Sequence, residues 1–328
     1  MIRLAVDTEG GDFGPETTVY GACLAMRDNP ELSCLFYGFP DDIEQAIPDF
    51  ADKDRIKIIS AEEVISDEDN PLKAVRKKQN SSLVKGLKAV ADGLADSFVS
   101  AGSSGAIYAG SLLHIGALPE IKRPAAVSIL PTVSESAPYY LLIDSGANIA
   151  SKPEHMAEYG RLGSDIAEQL LDVKNPRIGL LNIGSEASKG NDFTKAVYRL
   201  LDAEKDLNFT GNVEPTVLLN GANDIVLSDG FTGNIMLKSV EGTAEILMND
   251  LLRILKKDKT LDENALETIE NAIRNSISRY TNEDIGGGFI LGIKAPVIIT
   301  HGAADKMMFK NSVEIAARLA GNDAFNVR

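Results

Sequence analysis

Short apolar runs alternate along this chain with stretches whose apolar residues recur at helical spacing. Nearly continuous apolar runs are typical of strands that are buried on both faces of a sheet. Because helical segments separate the runs, the pattern predicts parallel βαβ units. We therefore predict an α/β fold with a large, mostly parallel sheet and helices on both of its faces. The clearest runs are residues 2–6, 34–38, 56–60, 97–102, 139–144, 177–184, 224–230 and 296–302.

One region departs from this alternation. Residues 241–280 keep a helical pattern that is broken only by the polar segment "KKDKTLDEN" (256–264). Thr260 or Asp262 is suited to cap the second helix. The pattern predicts a helical hairpin arm within a single α/β domain of residues 1–328, since no domain boundary is visible. Two interpretations stay open: a hairpin packed on the core, or a contact surface for dimerisation, a protein partner or a membrane.

Charge and composition exclude several classes of protein. The 328 residues include 33 Lys and Arg against 48 Asp and Glu, a net charge of −15. Nucleic acid binding needs a basic face, so we expect no nucleic acid partner. The two cysteines and three histidines have no metal-ligand spacing, and we predict neither a metal nor a cofactor. The N-terminus has no signal-peptide pattern and no run reaches about 20 apolar residues, which favours a cytoplasmic protein.

Glycine and small polar residues follow many of the predicted strands. Ligands of α/β sheets bind beyond the carboxyl ends of strands, so these turns are candidate ligand loops. Glycine lets backbone N–H groups approach an anion, and a following helix adds partial positive charge. The repeated pattern favours an anion pocket over a set of unrelated packing turns. The turns are "DTEGGD" (7–12), "SAGSSGAIYAG" (100–110), "DSGANIASKPEH" (144–155), "NIGSEASKGND" (182–192), "SDGFTGN" (228–234) and "THGAAD" (300–305).

Two side chains in these turns carry charge or proton chemistry. Lys189 lies on a glycine-flanked turn, where a lysine pairs with phosphate as a point charge; the alternative is a solvated loop lysine. His301 follows the last apolar run and is either a ligand or a structural histidine. The chain has no Ser-His-Asp order and no G-x-S-x-G elbow, which argues against a hydrolase.

An ordered set of motifs extends from Val6 to Asp305. Its most specific piece is "SDGFTGNIMLKSVEG" (228–242), and the ordered set is more telling than any one member. The other motifs are "DTEGGDFGPE", "NPLKAVRKKQNSSL", "SAGSSGA", "IKRPA", "DSGAN", "IGLLNIGSEASKGND", "GNVE" and "IKAPVIITHGAAD". In this order, the motifs resemble those of the PlsX-type phosphate acyltransferases of bacterial phospholipid synthesis.

The resemblance implies an activity and a set of partners. It implies an enzyme that converts acyl-acyl carrier protein and inorganic phosphate to acyl phosphate and free carrier protein. It also implies a homodimer, a fold similar to isocitrate and isopropylmalate dehydrogenases, peripheral membrane association, and supply of a membrane acyltransferase. The two family residues implicated in catalysis fall here on Lys189 and Asn234.

The resemblance and the chemistry of the turns together predict the site. Lys189 neutralises phosphate, and Asn234 hydrogen-bonds phosphate or the developing oxyanion, so that phosphate attacks the thioester directly. Three aspartates are expected to orient their neighbours, because carboxylates repel phosphate. These aspartates are Asp7, Asp12 and Asp229. The predicted phosphate or substrate ligands are Gly10, Gly11, Ser103, Ser104, Gly105, Asn148, Gly190, Gly233 and His301.

The chain also departs from the family pattern at several loops. One change adds a negative charge to the first turn, and others remove hydrogen-bonding groups. These changes keep two alternatives open: an acyl-phosphate-forming paralogue with another thioester or selenoester donor, and a non-catalytic binding protein of the same fold. A nicotinamide-dependent dehydrogenase is disfavoured, because its dinucleotide fingerprint is missing. The changed positions are Glu9, Ser103, Ser104, Ala150, Ala303 and Ala304.

Overall fold

The computed structural model describes residues 1–257, 262–277, 280, 286–321 and 325. Every apolar run named above forms a strand. The strands are β1 Ile2–Asp7, β2 Leu32–Gly38, β3 Ile56–Ser60, β4 Ser97–Ser100, β5 Ala125–Pro131, β6 Tyr139–Ile143, β7 Ile178–Leu181, β8 Phe209–Val213, β9 Ile225–Leu227, β10 Gly288–Leu291 and β11 Val297–Ile299. The helices are α1 Pro15–Asp28, α2 Pro40–Ala46, α3 Pro71–Lys77, α4 Ser82–Ala91, α5 Ser104–His114, α6 Pro153–Leu170, α7 Asp192–Ala203, α8 Gly230–Leu255, α9 Glu263–Ile277 and α10 Lys306–Ala320.

All of these strands belong to one sheet, which confirms the predicted fold class. Its order is β3-β2-β1-β4-β11-β10-β5-β6-β9-β7-β8. The first five strands of this order are parallel to one another, and so are the last four. Strands β10 and β5 pair antiparallel with their neighbours, so the two parallel blocks run in opposite directions.

The carboxyl ends of the two blocks nevertheless meet near the middle of the sheet. Strand β11 ends at Ile299, which is level with Gly288 of β10 and, through it, with Ser128 of β5. Strand β6 runs the other way and ends at Ile143, which is level with Val127 of β5. The blocks therefore end within one residue of each other in register, and turns from both of them can reach one site.

Alternation along β1 shows that the sheet is buried on both faces. Leu4 and Val6 pack into a core with helices α1, α10, α6 and α7, whereas Ala5 packs into a second core with α4 and α5. All three side chains are fully buried. The continuous apolar run that the sequence shows is therefore the consequence of helices on both faces.

The predicted hairpin is present as α8 and α9, and α8 begins well before residue 241. Asp229 caps α8, since its carboxylate accepts hydrogen bonds from the Thr232 N–H at 2.9 Å and hydroxyl at 2.7 Å. Asp262 caps α9 by accepting the Ala265 N–H at 2.8 Å, as predicted, and Thr260 lies outside the described residues. In the described part of the chain, no helix combines the length and apolar character needed to cross a membrane.

Candidate functional site

Helix α8 separates two cavities and lines both of them. Its residues Asn234, Leu237, Lys238 and Glu241 line a polar cleft of about 390 Å³. Other residues of α8 line an apolar groove of about 880 Å³, namely Thr232, Ile235, Met236, Ser239, Val240, Thr243 and Leu247. Because residues three and four apart share a helix face, these residues form a second face of α8, opposite the face that lines the cleft.

The polar cleft collects turns from both strand blocks. Ser104 and Gly105 come from the turn after β4, Gly146 from the turn after β6, and His301 from the turn after β11. The β4 and β11 turns belong to one block and the β6 turn to the other, so the register described above is what assembles the cleft. Of the predicted ligands, Ser104, Gly105 and His301 line it, as does the predicted catalytic Asn234.

Two hydroxyl groups in the cleft are already oriented by the protein. The Ser128 hydroxyl donates to the Ser145 hydroxyl oxygen at 2.9 Å. The Tyr108 hydroxyl donates to the Pro124 carbonyl oxygen at 2.9 Å, and burial raises the pKa of Tyr108 to about 12. Tyr108 therefore stays neutral in the physiological range and contributes a dipole rather than a charge.

The imidazole of His301 is also held in one orientation. Its Nδ1 accepts the N–H of Ala303 at 3.2 Å. A neutral imidazole that accepts through one nitrogen carries its proton on the other. His301 therefore offers Nε2–H as a donor to a group in the cleft that it lines.

The turn after β6 is organised by the buried carboxylate of Asp144. Its Oδ1 accepts the N–H groups of Gly146 at 2.9 Å and Ala147 at 2.7 Å, and its Oδ2 accepts the N–H of Asn148 at 2.8 Å. Burial raises the pKa of Asp144, and these hydrogen bonds oppose that shift. Asp144 begins the candidate loop 144–155 of the sequence but has no predicted role there, although an acid followed by small residues at a strand end favours such a turn.

Asn148 and Gly233 are predicted ligands that the structure uses for packing. The Asn148 amide donates to the Pro124 carbonyl and to Asp144 Oδ2, both at 2.8 Å, and Asn148 is buried. A Cβ atom on Gly233 would lie 2.1 Å from the carbonyl oxygen of Asp144. Gly233 thus lets the first turn of α8 approach the β6 turn closely, and this approach positions Asn234.

The turn after β1, residues 7–12, contacts the turns that form the cleft but does not line the cleft itself. The buried Asp7 accepts the Ser100 hydroxyl at 2.7 Å, which ties β1 to the β4 turn, and burial raises its pKa. Gly10 and Gly11 pack on the turns after β4 and β11, and the Asp12 N–H donates to the Gly302 carbonyl at 2.8 Å. These glycines permit contact between turns.

Glu9, the added acid of this turn, points away from the cleft. Its Oε1 accepts the N–H of Phe39 at 3.1 Å and the Thr8 hydroxyl at 2.9 Å. Phe39 is the residue before helix α2, so Glu9 caps that helix. The charge that distinguishes this chain from the family pattern is therefore directed at an N-terminal helix end.

Lys189 lies in the loop after β7, beside the groove rather than in the lining of the polar cleft. Its neighbour Gly190 lines the groove, as does Asp229, the residue that caps α8. The Lys189 Nζ is 3.8 Å from Glu186 Oε1, and about half of the lysine side chain is exposed. The structure thus brings Asn234 into the cleft and the Lys189 loop to the groove, on the two sides of α8.

Ser103 is the remaining predicted ligand and precedes α5. Its side chain makes no capping hydrogen bond, so the first N–H groups of α5 are not satisfied by it. Three cleft residues are not predicted by the sequence, because side chains that face a cavity from a strand or helix carry no turn signal. These are Ser128, Lys238 and Glu241. Tyr108 and Ser145 also line the cleft and fall within the candidate loops 100–110 and 144–155, but the sequence does not show which side chains of a loop face the cavity. No group of three or more His, Cys, Asp or Glu within the described ranges has the arrangement of a metal site.

Comparison with known proteins shows which family the sequence of this chain matches. The family described as "Fatty acid synthesis protein" matches residues 2–327. The phosphate acyltransferase of Enterococcus faecalis is 40% identical over 302 residues, covering 92% of this chain and 90% of that protein. The phosphate acyltransferase of Lactiplantibacillus plantarum is 39% identical over 324 residues, covering 98% and 92%.

Solved structures share the fold at much lower identity. A phosphotransacetylase from Streptococcus pyogenes has a TM-score of 0.63 and 17% identity, covering 97% of this chain and 94% of that one. A branched-chain phosphotransacylase from Enterococcus faecalis has a TM-score of 0.60 and 13% identity, covering 98% and 100%. Because the family model matches residues 2–327 and both relatives are phosphate acyltransferases of about 40% identity, the chain belongs to the fatty acid synthesis protein family of phosphate acyltransferases and is an acyltransferase.

Proposed function

We propose that this acyltransferase takes its acyl group from acyl-acyl carrier protein and transfers it to inorganic phosphate, forming acyl phosphate for phospholipid synthesis. The observation that carries the proposal is the pair of cavities on the two faces of α8, one polar and one apolar. A reaction between a small anion and a long apolar chain needs one site of each kind. Both cavities reach the first two turns of α8, where Thr232 faces the groove and Asn234 faces the cleft.

The apolar groove suits a long hydrocarbon chain. From Thr232 to Leu247 it follows α8 for 15 residues, a distance of about 22 Å at a rise of about 1.5 Å per residue. Its other walls include Leu180, Phe193 and Ile277. Burial of each CH₂ group contributes about 0.8 kcal/mol, so chain length translates directly into affinity for the donor.

The reaction then takes place at the amino end of α8. A phosphate oxygen attacks the thioester carbonyl carbon, the C–O bond forms, and the C–S bond breaks. The thiolate of the carrier protein leaves with the electron pair and takes a proton from water. Asn234 donates to phosphate or the oxyanion, and Lys189, on the groove side, supplies positive charge near the thioester. Both groups act by orientation and charge stabilisation, and no covalent enzyme intermediate is needed.

The arm carries the proposed contacts with other molecules. Ile246, Leu251 and Ile254 are exposed apolar residues of α8 that are not part of the groove lining. An exposed apolar patch is typical of a protein or membrane contact. We assign this patch to a homodimer contact and to peripheral attachment at the membrane, where a second acyltransferase consumes acyl phosphate.

The test is acyl phosphate formation from a panel of donors at fixed phosphate concentration. Long-chain acyl-acyl carrier protein should be the best donor, and activity should fall as the chain shortens and the groove is left unfilled. Activity confined to short acyl-CoA or to selenoester donors would refute the carrier-protein assignment and favour the paralogue. Donor binding without turnover would refute the enzymatic proposal for this chain.

A further inference from the structure

The polar cleft contains a lysine to which neither the family resemblance nor the comparisons give a role. Lys238 follows Asn234 by four residues on α8, and both side chains belong to the face that lines the cleft. Within the described residues, Lys238 is the one Lys or Arg of this lining. We propose that Lys238 is the cation that binds inorganic phosphate in the polar cleft. This inference rests on the proposed function and names the phosphate-binding residue of the same site.

Several groups that line the cleft with Lys238 are hydrogen-bond donors suited to phosphate, and Glu241 is the one acid among the described lining residues. An ammonium group offers three donors, and its charge compensates part of the charge that phosphate brings out of water. His301 offers Nε2–H, because its Nδ1 accepts the Ala303 N–H, and the Ser145 hydroxyl adds another donor. The first N–H groups of α5, which begins at Ser104 in the lining, point their partial positive charge to the same cleft.

The position of Lys189 supports a division of labour between the two lysines. Lys189 is outside the lining of the cleft, and its neighbour Gly190 borders the apolar groove. The Nζ of Lys189 lies 3.8 Å from Glu186 Oε1, so Glu186 offsets part of its charge. Lys238 therefore governs the affinity for phosphate, and Lys189 governs the reaction of the acyl donor.

The two lysines predict different kinetic changes. In the full-length protein, Lys238→Met should raise the KM for phosphate by about 10- to 100-fold, the range expected for a lost charge-assisted hydrogen bond. The KM for the acyl donor should stay near the wild-type value. Lys238→Arg, which keeps the charge, should restore part of the phosphate affinity. A phosphate KM that is unchanged in Lys238→Met overturns the inference.

Lys205→Met is the matched control. Lys205 is exposed and precedes the amino end of β8, whereas the site lies at the carboxyl ends of the strands. It removes the same charge from the protein, so it corrects for the effect of net charge on phosphate attraction. Its phosphate KM should equal that of the wild type. A rise equal to that of Lys238→Met overturns the inference, because it assigns the effect to net charge.

A second measurement separates this inference from the proposed function. Phosphate should raise the thermal midpoint of the wild-type protein above that in chloride of equal ionic strength, since a ligand of the folded state stabilises it. Lys238→Met should lose this difference, and its retention overturns the inference even if catalysis is impaired. If the wild type forms no acyl phosphate with any donor, the proposed function fails, while the phosphate-dependent shift still tests Lys238.

Discussion

The close approach of α8 to the β6 turn predicts opposite outcomes for one substitution at two positions of the same helix. Gly233 and Gly242 both lie in α8. A Cβ atom at Gly233 would be 2.1 Å from the carbonyl oxygen of Asp144, whereas a Cβ atom at Gly242 would have nothing within 4 Å. In a helix interior, Ala is favoured over Gly by about 1 kcal/mol. Gly242→Ala should therefore be more stable than wild type by about that amount.

Gly233→Ala should lose both stability and activity. Real Cβ atoms essentially never come within 3.0 Å of another atom, so α8 must move away from Asp144 by roughly the difference between 2.1 and 3.0 Å. Overpacking of this kind costs about 1–3 kcal/mol, which exceeds or cancels the helix gain. The shift displaces Asn234, the next residue and a proposed catalytic group. Misplacement of a catalytic group by 1 Å can lower the rate about 100-fold.

Urea unfolding and the kcat for acyl phosphate formation are the two measurements. Gly233→Ala should unfold at lower urea than Gly242→Ala and have a kcat about 100-fold below that of the wild type. Gly242→Ala should keep the wild-type kcat. If Gly233→Ala gains stability like Gly242→Ala and keeps its kcat, the contact with the β6 turn does not position Asn234, and this reasoning is refuted.

Three further predictions concern carboxylates. Glu9→Ala should lower the free energy of unfolding by about 1 kcal/mol, as the loss of a helix cap does, and leave the KM for phosphate unchanged. A raised KM for phosphate would show that Glu9 acts on phosphate binding. Asp144→Asn should cost about 1–3 kcal/mol in urea unfolding, because an amide cannot accept all the N–H groups of its turn, and a neutral result would contradict that role. Burial alone would raise the pKa of Asp96, but hydrogen bonds from Arg3 lower that pKa below 3.8. In urea unfolding, Asp96→Asn should therefore be less stable than the wild type at pH 6, and this deficit should vanish as the pH falls through the lowered pKa. A deficit that does not depend on pH would contradict the pairing of Asp96 with Arg3.

The strands of the sheet were visible in the sequence because both of their faces are buried. A strand such as β1, covered by helices on each side, keeps its apolar run whichever neighbour it pairs with. The edge strand β8 was not predicted, since "FTGNV" is only partly buried. Strand β10, "GFIL", is not among the predicted runs either, although its last three residues are buried.

Strand direction was not visible in the sequence, and it determines how the site is built. Apolar runs do not show that β6 runs opposite to β1, because a parallel and an antiparallel strand are buried alike. The apolar runs therefore predict only that the turns lie at the ends of strands of one mostly parallel sheet. Instead, the antiparallel strands β5 and β10 place the two parallel blocks in opposite directions, so the carboxyl ends of β11 and β6 meet near the middle of the sheet.

The fold also bears on the residues that depart from the family pattern. Glu9 points to Phe39. Ala303 contacts His301 through its backbone N–H, a bond that any residue other than proline provides, and Ala304 is buried. Ser104 alone among the changed positions lines the cleft, and it keeps a hydroxyl.

The changed positions therefore leave the polar chemistry of the cleft in place. The inactive-protein alternative drew its support from these same positions, so it loses that support when they prove to lie outside the cleft or to retain their polar group. A difference from other family members in the acyl donor is then to be sought on the other face of α8. There the apolar side chains of the groove determine the length of acyl chain that fits, and the turn motifs of the sequence do not include these side chains.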